Sequence, residues 1–170
     1  MASLRKPVIV RKFSREWIAG YAGAGFDRNA PTLELLDTGG RVISMTWEAV
    51  KWVCFVRELS IGDPNQPERL LQKRFAVRPR TPGLWLRMIL IDGEELEGVA
   101  ANDRSLVEGH GLMLIPPDTR SNTQRIFVPR QAIQTLEVLA LIGVARRRHT
   151  DAGRTAEQSE LFPAESAGES

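Results

Sequence analysis

Apolar and polar residues alternate with a period of two along ten short stretches of this 170-residue chain. β-Branched and aromatic residues are enriched in these stretches, and Gly, Pro, Asn and Asp lie between them. This pattern is typical of β-strands separated by turns. It predicts strands at about 7–13, 16–23, 32–37, 41–46, 51–56, 84–91, 94–101, 111–115, 125–129 and 134–139.

The second half of the chain repeats the hydrophobic pattern of the first half. Gly20 aligns with Gly98 at a spacing of 78 residues, and the apolar positions on both sides of each glycine coincide. Later changes in this spacing fall in turns, where insertions are tolerated. A repeat of this length indicates a duplicated domain-sized unit of five strands.

Three glycines predict how each unit folds. Asp92-Gly93 is typical of a tight hairpin turn with positive φ. Gly20 and Gly98 lie inside predicted strands, where glycine is unfavourable unless the sheet bends or another backbone comes close. We therefore expect the second strand of each unit to bend sharply, so that each sheet rolls into a small barrel.

The order of elements in each unit resembles the Sm-like fold, of which Hfq and the Lsm proteins are members. The resemblance is carried by the segment LIDGEELEG, by the loop acids Asp27 and Asp103, and by the segment IFVPRQAIQTLEVL. It covers residues 7–56 and 84–139. It implies a mainly β protein of two tandem five-stranded Sm-like or SH3-like small barrels packed together, with a single helical turn before each fifth strand.

The second copy also resembles a bacterial domain of unknown function. The signature of that domain is a DGE-x-L-x-G hairpin followed by SNN-x-RIFV, and residues 121–128 here read SNTQRIFV. In that family the module often accompanies PilZ-type receptor domains, which implies regulation. The start of this chain shows no PilZ arginine motif.

These observations predict four parts of the chain. The first unit spans residues 5–57 and the second spans 84–145. Residues 58–83 connect them and contain the run ERLLQKRF, which predicts a short helix. Residues 146–170 hold too little apolar surface to offset the entropy of ordering, so we expect a disordered tail.

The two units are expected to pack against each other. The outward positions of the first unit's last strand, Trp52, Cys54 and Val56, are apolar and need a cover. Neighbouring Sm-like subunits join strand four of one to strand five of the next, which implies the same junction within this chain. The residues expected near that junction are Trp52, Phe75, Trp85 and Ile89.

Charge and composition narrow the function. Residues 1–150 carry 22 basic and 16 acidic side chains, whereas residues 151–170 carry one and five. This modest basic surplus permits nucleic-acid contact without requiring it. One cysteine and two histidines exclude a disulfide framework and a Cys/His zinc cluster. The longest apolar run is too short to cross a bilayer and no signal segment is visible, so we expect a cytoplasmic protein without membrane contact.

The sequence contains no recognisable catalytic motif. His110 has no partner at a recognisable spacing, and Glu95 and Glu97 are expected on a solvated strand face. No phosphate-binding loop, nucleophile elbow or HExxH sequence occurs. We therefore expect a protein that is not an enzyme and uses no cofactor.

The expected role is a non-catalytic regulatory or scaffolding module that binds an unidentified protein partner. The alternative is an RNA-binding Sm-like protein, in which Trp47 would stack on a base and Arg130 would hold phosphate. The Arg-Gly pair of true RNA-binding members is missing. The other loop residues offered to nucleic acid are Asn29, Asn102 and Arg104.

A short motif lies in the predicted tail. Residues 158–162, QSELF, resemble the Q-x-x-L-F peptide by which bacterial proteins dock on the DNA sliding clamp. Its key residues would be Gln158, Leu161 and Phe162. Extended peptides can bury such an apolar pair in a pocket, although a chance match of five residues is the more common explanation.

Overall fold

A computed structural model describes residues 5–23, 26–59, 64–118 and 120–143. The described chain is mainly β, with ten strands and three single 3-10 turns, as the alternating pattern predicts. The 3-10 turns are Trp47–Ala49, Arg104–Leu106 and Arg130–Ala132. The strands are β1 (Lys6–Lys12), β2 (Trp17–Ala22), β3 (Thr32–Asp37), β4 (Val42–Thr46), β5 (Val50–Val56), β6 (Gly83–Leu90), β7 (Glu95–Ala100), β8 (Gly111–Ile115), β9 (Thr123–Pro129) and β10 (Ile133–Ile142).

All ten strands belong to one antiparallel sheet. Its order is β10-β6-β7-β8-β9-β5-β1-β2-β3-β4, so each half of the chain contributes five neighbouring strands in the same internal order. The sheet is not closed into a barrel. Its edges in the described residues are β4 and β10.

The two mid-strand glycines occupy matching places in the sheet. Gly20 lies opposite Val8, and Gly98 lies opposite Leu86, which are the first-strand positions that the repeat aligns. A Cβ atom at Gly20 would lie 2.6 Å from the backbone oxygen of Leu36, and one at Gly98 would lie 2.8 Å from Leu114 Cβ. Only glycine lets the third strand of each half come this close.

The turns between the first and second strands have positive φ in both halves. Gly93 has a φ of 82°, and Arg15 takes the equivalent turn with a φ of 70°. A glycine adopts this conformation without steric cost, whereas an arginine does not. The hairpin of the second half is therefore the less strained of the two.

The two halves join where β5 pairs with β9. Cys54 lies opposite Ile126, and Val53 lies opposite Phe127. Trp52, Cys54 and Val56 are buried in the same apolar cluster as the interior residues of the second half. Phe127 of the second half is buried in the cluster of the first half. Each half thus completes the core of the other. The apolar side chains of Trp52, Cys54 and Val56 are covered, as the sequence predicts.

The junction contains only one of the four aromatic and aliphatic residues expected there. Trp52 lies on β5, but Trp85 and Ile89 lie on β6, four strands away in the sheet. Phe75 packs edge-on against Trp85 with 6.0 Å between ring centroids. These contacts belong to the connecting segment and the second half, so the prediction for Phe75, Trp85 and Ile89 is wrong.

The connecting segment forms no helix in its described residues, 64–82, so the predicted short helix is wrong. The backbone of ERLLQKRF bonds to other parts of the fold instead. Glu97 N–H donates to Lys73 O at 2.7 Å, and Phe75 N–H donates to the Glu97 carboxylate at 3.0 Å. A helix would use these groups internally, and the bonds to β7 replace it.

The turns before β5 and β10 bury different side chains. Before β5, Ala49 is exposed and Trp47 is buried. Before β10, the equivalent Ala132 is buried. Burying the larger side chain removes more apolar surface from water, which favours the observed arrangement.

The close approach at Gly20 and Gly98 predicts the cost of adding a methyl group. Gly20→Ala and Gly98→Ala should each lower the free energy of unfolding by about 1–3 kcal/mol, because the added Cβ meets backbone or packed side chain. Gly23→Ala is the control, since nothing lies within 4 Å of its Cβ position. Urea unfolding of the three variants measures these free energies. Equal stability of all three would contradict the matched bends.

Candidate functional site

Glu97 is a buried carboxylate at the point where the connecting segment crosses the second half. Its side chain is 2 % exposed. Phe75 N–H and Trp85 Nε1–H donate to Oε2 at 3.0 and 3.1 Å, and Arg87 Nε and Nη2 donate to Oε1 at 3.1 and 3.0 Å. Four donors therefore satisfy both oxygens of one carboxylate.

The expectation that Glu97 faces solvent is wrong. Strand alternation correctly places it on the face opposite Leu96, but the connecting segment covers that face. Burial alone would raise the pKa of Glu97, yet the hydrogen bonds from Phe75, Arg87 and Trp85 outweigh burial and lower it below 4.5. Glu97 therefore stays charged and fastens the connecting segment to β6 and β7.

A cleft of about 710 Å³, which we call the Trp52 cleft, is lined by Lys51 and Trp52 of β5, by the Asp92-Gly93 hairpin and by part of the connecting segment. Lys51 and Lys73 place their ammonium groups 4.9 and 5.9 Å from the centroid of the Trp52 ring. Both lysines pair with Glu94, and Lys51 also pairs with Asp92. Burial, with the nearby charge of Lys51, lowers the pKa of Lys73. These charges tie the Asp92-Gly93 hairpin to β5 and to the connecting segment.

Three of the five described cations that line the Trp52 cleft are paired with acids that also line it. Arg11 makes a bidentate pair with the buried Glu68, at 2.8 and 2.7 Å from Nη2. Together with the Glu94 pairs of Lys51 and Lys73, this arrangement is a structural ion-pair network. The other two cations, Lys12 and Arg15, are not part of that network.

The loops expected to contact nucleic acid meet at one end of the sheet. His110 N–H donates to Arg28 O at 2.8 Å, and the His110 ring stacks on Trp47 at 5.8 Å between centroids. Asn29 lies beside the loop that contains His110: its Oδ1 is 3.1 Å from the position that a Cβ atom would take on Gly109. The structure therefore brings Asn29, Trp47 and Arg130 together with the loop that carries Asn102 and Arg104.

Two of these five residues serve the fold itself. Trp47 is 3 % exposed and donates its Nε1–H to Ala30 O at 2.8 Å, so its ring faces are not offered to a base. Arg130 donates from Nε to Gly109 O and from Nη2 to Leu106 O and Glu108 O. Through these bonds the Arg130 guanidinium holds the loop of residues 106–109 in place. This geometry weighs against the roles expected for Trp47 and Arg130 in RNA contact, which stay predictions.

The other three candidates, Asn29, Asn102 and Arg104, are exposed. The acids in these loops, Asp27 and Asp103, each accept a hydrogen bond from the N–H two residues ahead, at 2.8 Å in both cases. This is the usual way in which an Asp side chain shapes a turn. Hydrogen bonds from Ser105 lower the pKa of Asp103.

The outer edge of the sheet at β10 is the most apolar exposed feature of the second half. Leu136, Val138 and Leu141 are 47, 57 and 58 % exposed, and no described strand lies beside β10 on that side. Sequence alternation predicted the strand but not this exposure. Unpaired backbone groups and exposed aliphatic side chains together make an edge that can accept another strand.

Comparison with known proteins gives the family. A family of unknown function, DUF6982, matches residues 4–140. The chain belongs to this family. The match spans both halves and the connecting segment, so the two repeats form one family unit. No curated protein and no solved structure matches the chain.

Two further findings concern the described residues alone. No helix among them is long and apolar enough to cross a membrane. No group of three His, Cys, Asp or Glu side chains in these ranges is arranged to hold a metal ion. Gln158, Leu161 and Phe162 of the predicted tail motif lie outside the described residues.

The hydrogen bonds of Glu97 predict a specific loss of stability. Glu97→Gln should lower the free energy of unfolding by about 2–3 kcal/mol at pH 7, because it removes a charged acceptor of four hydrogen bonds. Glu95→Gln, two residues away with exposed arginine partners, should cost less than about 1 kcal/mol. Chemical unfolding of both variants measures the difference, and equal costs would contradict it.

The same pair of variants predicts a pH dependence. The folded-state pKa of Glu97 is lowered, so its contribution to stability is complete above its ordinary pKa of 4.5 and is lost as the pH falls through the lowered value. The stability difference between the parent and Glu97→Gln should therefore shrink in acid. A difference that stays constant down to pH 3 would contradict this.

Proposed function

We propose that this chain is a non-catalytic regulatory or scaffolding module that binds a protein partner along the open edge of β10. The observation that carries the proposal is the contrast between β10 and its repeat equivalent, β5. Every residue of β5 is buried, and its edge is paired with β9. The residues of β10 from Gln134 to Val138 are all exposed.

The repeat supports this interpretation. We infer that each group of five strands is an Sm-like unit, because both groups have the strand order 5-1-2-3-4 and a glycine at the same place in the second strand. In that arrangement the fifth strand of one unit takes the fourth strand of the next. β10 is the fifth strand that lacks such a neighbour within the described chain, and β-strand addition is a common mode of protein recognition.

Binding along an edge explains which residues are exposed. Leu136 and Val138 correspond by the repeat to Val53 and Phe55, which are buried beside Phe127. A strand added to β10 would cover Leu136 and Val138 in the same way. Burying such side chains favours association by roughly 25 cal/mol per Å² of apolar surface, before the entropic cost of binding is subtracted.

The nucleic-acid alternative is weaker on the geometry. Of the five residues expected to contact RNA, the three that are exposed include one cation, Arg104. These three residues by themselves give little of the phosphate attraction on which RNA affinity depends. A sliding-clamp partner for the tail stays a proposal, since its residues lie outside the described ranges. The resemblance to a domain found near PilZ receptors favours a regulatory partner.

The edge can be tested with a matched pair of variants. Leu136→Lys/Val138→Lys should block strand addition, because charge on an edge strand opposes pairing. Val77→Lys is the control, since Val77 is 78 % exposed and lies in the connecting segment. Affinity capture from the native cell should retain the same proteins on the parent and on the control, and lose them on the edge variant by about tenfold or more.

Two results would contradict the proposal. One is an identical set of captured proteins on the edge variant and the control. The other is capture of RNA by the parent chain that Arg104→Ala reduces, which would favour the alternative. Circular dichroism of each variant shows whether the fold is kept.

A further inference from the structure

A second cleft, of about 560 Å³, opens over the core of the first half at the junction. We call it the basic cleft. Its floor is apolar and contains Phe26, Phe55 and Met113. Its rim carries three cations, Lys6, Arg28 and Arg125, and no acid is among the described residues that line it.

Strand register explains why these side chains meet. Phe55 lies opposite Val8 on one side and opposite Arg125 on the other, so all three point to the same face of the sheet. Lys6 precedes Val8 by two residues, and Met113 lies opposite Phe127, two residues after Arg125. The cleft is therefore built by strands from both halves and exists only because β5 and β9 pair.

Two of the three cations of the basic cleft, Lys6 and Arg125, are exposed and form no ion pair or side-chain hydrogen bond with any described residue. Arg28 lies close enough to Asp103 to lower the pKa of that acid, but its buried Nη1 has no hydrogen-bond partner among the described residues. A buried donor without a partner is costly, and an anion that meets it and the two exposed cations removes that cost. The cleft thus fits an acidic ligand with an apolar part.

We propose that the occupant is the C-terminal segment of this same chain, residues 157–165, EQSELFPAE. This segment has the required chemistry. Leu161 and Phe162 match the apolar floor, and Glu157, Glu160 and Glu165 match the basic rim. Residues 151–170 carry five acids and one base, the opposite balance to the rest of the chain.

The chain is long enough to reach. The β10 residue Leu141 connects to β9 through a row of directly opposite residues, namely Leu84, Ala100, Leu114 and Ile126. This row crosses four strand spacings, roughly 19 Å along the sheet, and ends beside Arg125. Residues 143–160 could span roughly 60 Å when extended. The segment therefore reaches the cleft without strain.

Tethering makes a weak contact sufficient. A peptide joined by a linker of this length experiences an effective concentration on the order of 1 mM, so an affinity of roughly 100 μM gives about tenfold excess of the docked form. Docking would hide Leu161 and Phe162 from any partner of the tail until that partner competes for them. The inference does not depend on β10, so its failure leaves the proposed edge function untouched.

The test uses the full chain with a spin label in the segment. Ser159→Cys provides the attachment point, and the native Cys54 is 0 % exposed and its pKa is raised by burial, so it stays unlabelled in the folded protein. The label should broaden the backbone amide signals of Phe26, Gln124 and Arg125. Leu161→Ala/Phe162→Ala in the same chain should weaken docking by roughly 100-fold, because it removes both large apolar side chains, and should thereby lower the docked fraction and the broadening about tenfold.

A charge-reversal pair completes the design. Arg125→Glu should abolish the broadening, because it places an acid against Glu157 and Glu160. Arg15→Glu is the control, since Arg15 is exposed at the opposite end of β1 and should leave the broadening unchanged. Broadening that is no stronger at Arg125 than at the Arg15 turn would overturn the proposal. So would broadening that survives both Arg125→Glu and the loss of Leu161 and Phe162.

Discussion

The pairing of β5 with β9 is the interaction on which the rest of this structure depends. β5 is a run of seven residues, VKWVCFV, in which every side chain is buried. A strand with both faces apolar cannot be stable at the surface of a five-stranded sheet. The second half supplies the missing cover, and Phe127 in turn fills the core of the first half. The two repeats are thus one folding unit, and the family match across both agrees with this.

Other features follow from that junction. It brings Lys51 of β5 to the Asp92-Gly93 hairpin of the second half, where the two form an ion pair. It creates the basic cleft, because Phe55 and Arg125 are direct partners across the seam. It also leaves β10 as the fifth strand that pairs with β6 on one side and has no described neighbour on the other. The basic cleft and the open edge of β10, the two surfaces proposed to bind a ligand or partner, therefore both arise from the way in which the two similar halves pair.

Much of the fold is readable from the sequence because strand periodicity and glycine chemistry are local. Alternation located the ten strands, and the apolar residues at Trp52, Cys54 and Val56 revealed the need for a cover. Alternation does not show that the connecting segment covers the outer face of β7, so it predicts a solvent-exposed Glu97. The run ERLLQKRF has a helical pattern. However, Lys73 O accepts a hydrogen bond from Glu97 N–H, and Phe75 N–H donates to the Glu97 carboxylate, so these backbone groups bond to β7 and not within a helix. The role of Trp47 depends on ring contacts with His110 and Phe127 of the other half, and that of Arg130 on bonds to a distant loop of its own half. No local pattern contains such contacts.

Cys54 permits the most direct test of the central claim, since it lies in the middle of the junction and is the only cysteine in the chain. Its rate of reaction with a thiol reagent at increasing urea gives the free energy of the opening that exposes it. If the two halves form one unit, this value equals the free energy of global unfolding measured by circular dichroism. A value several kcal/mol lower, with both halves still folded, would show that the junction opens separately and would contradict the account.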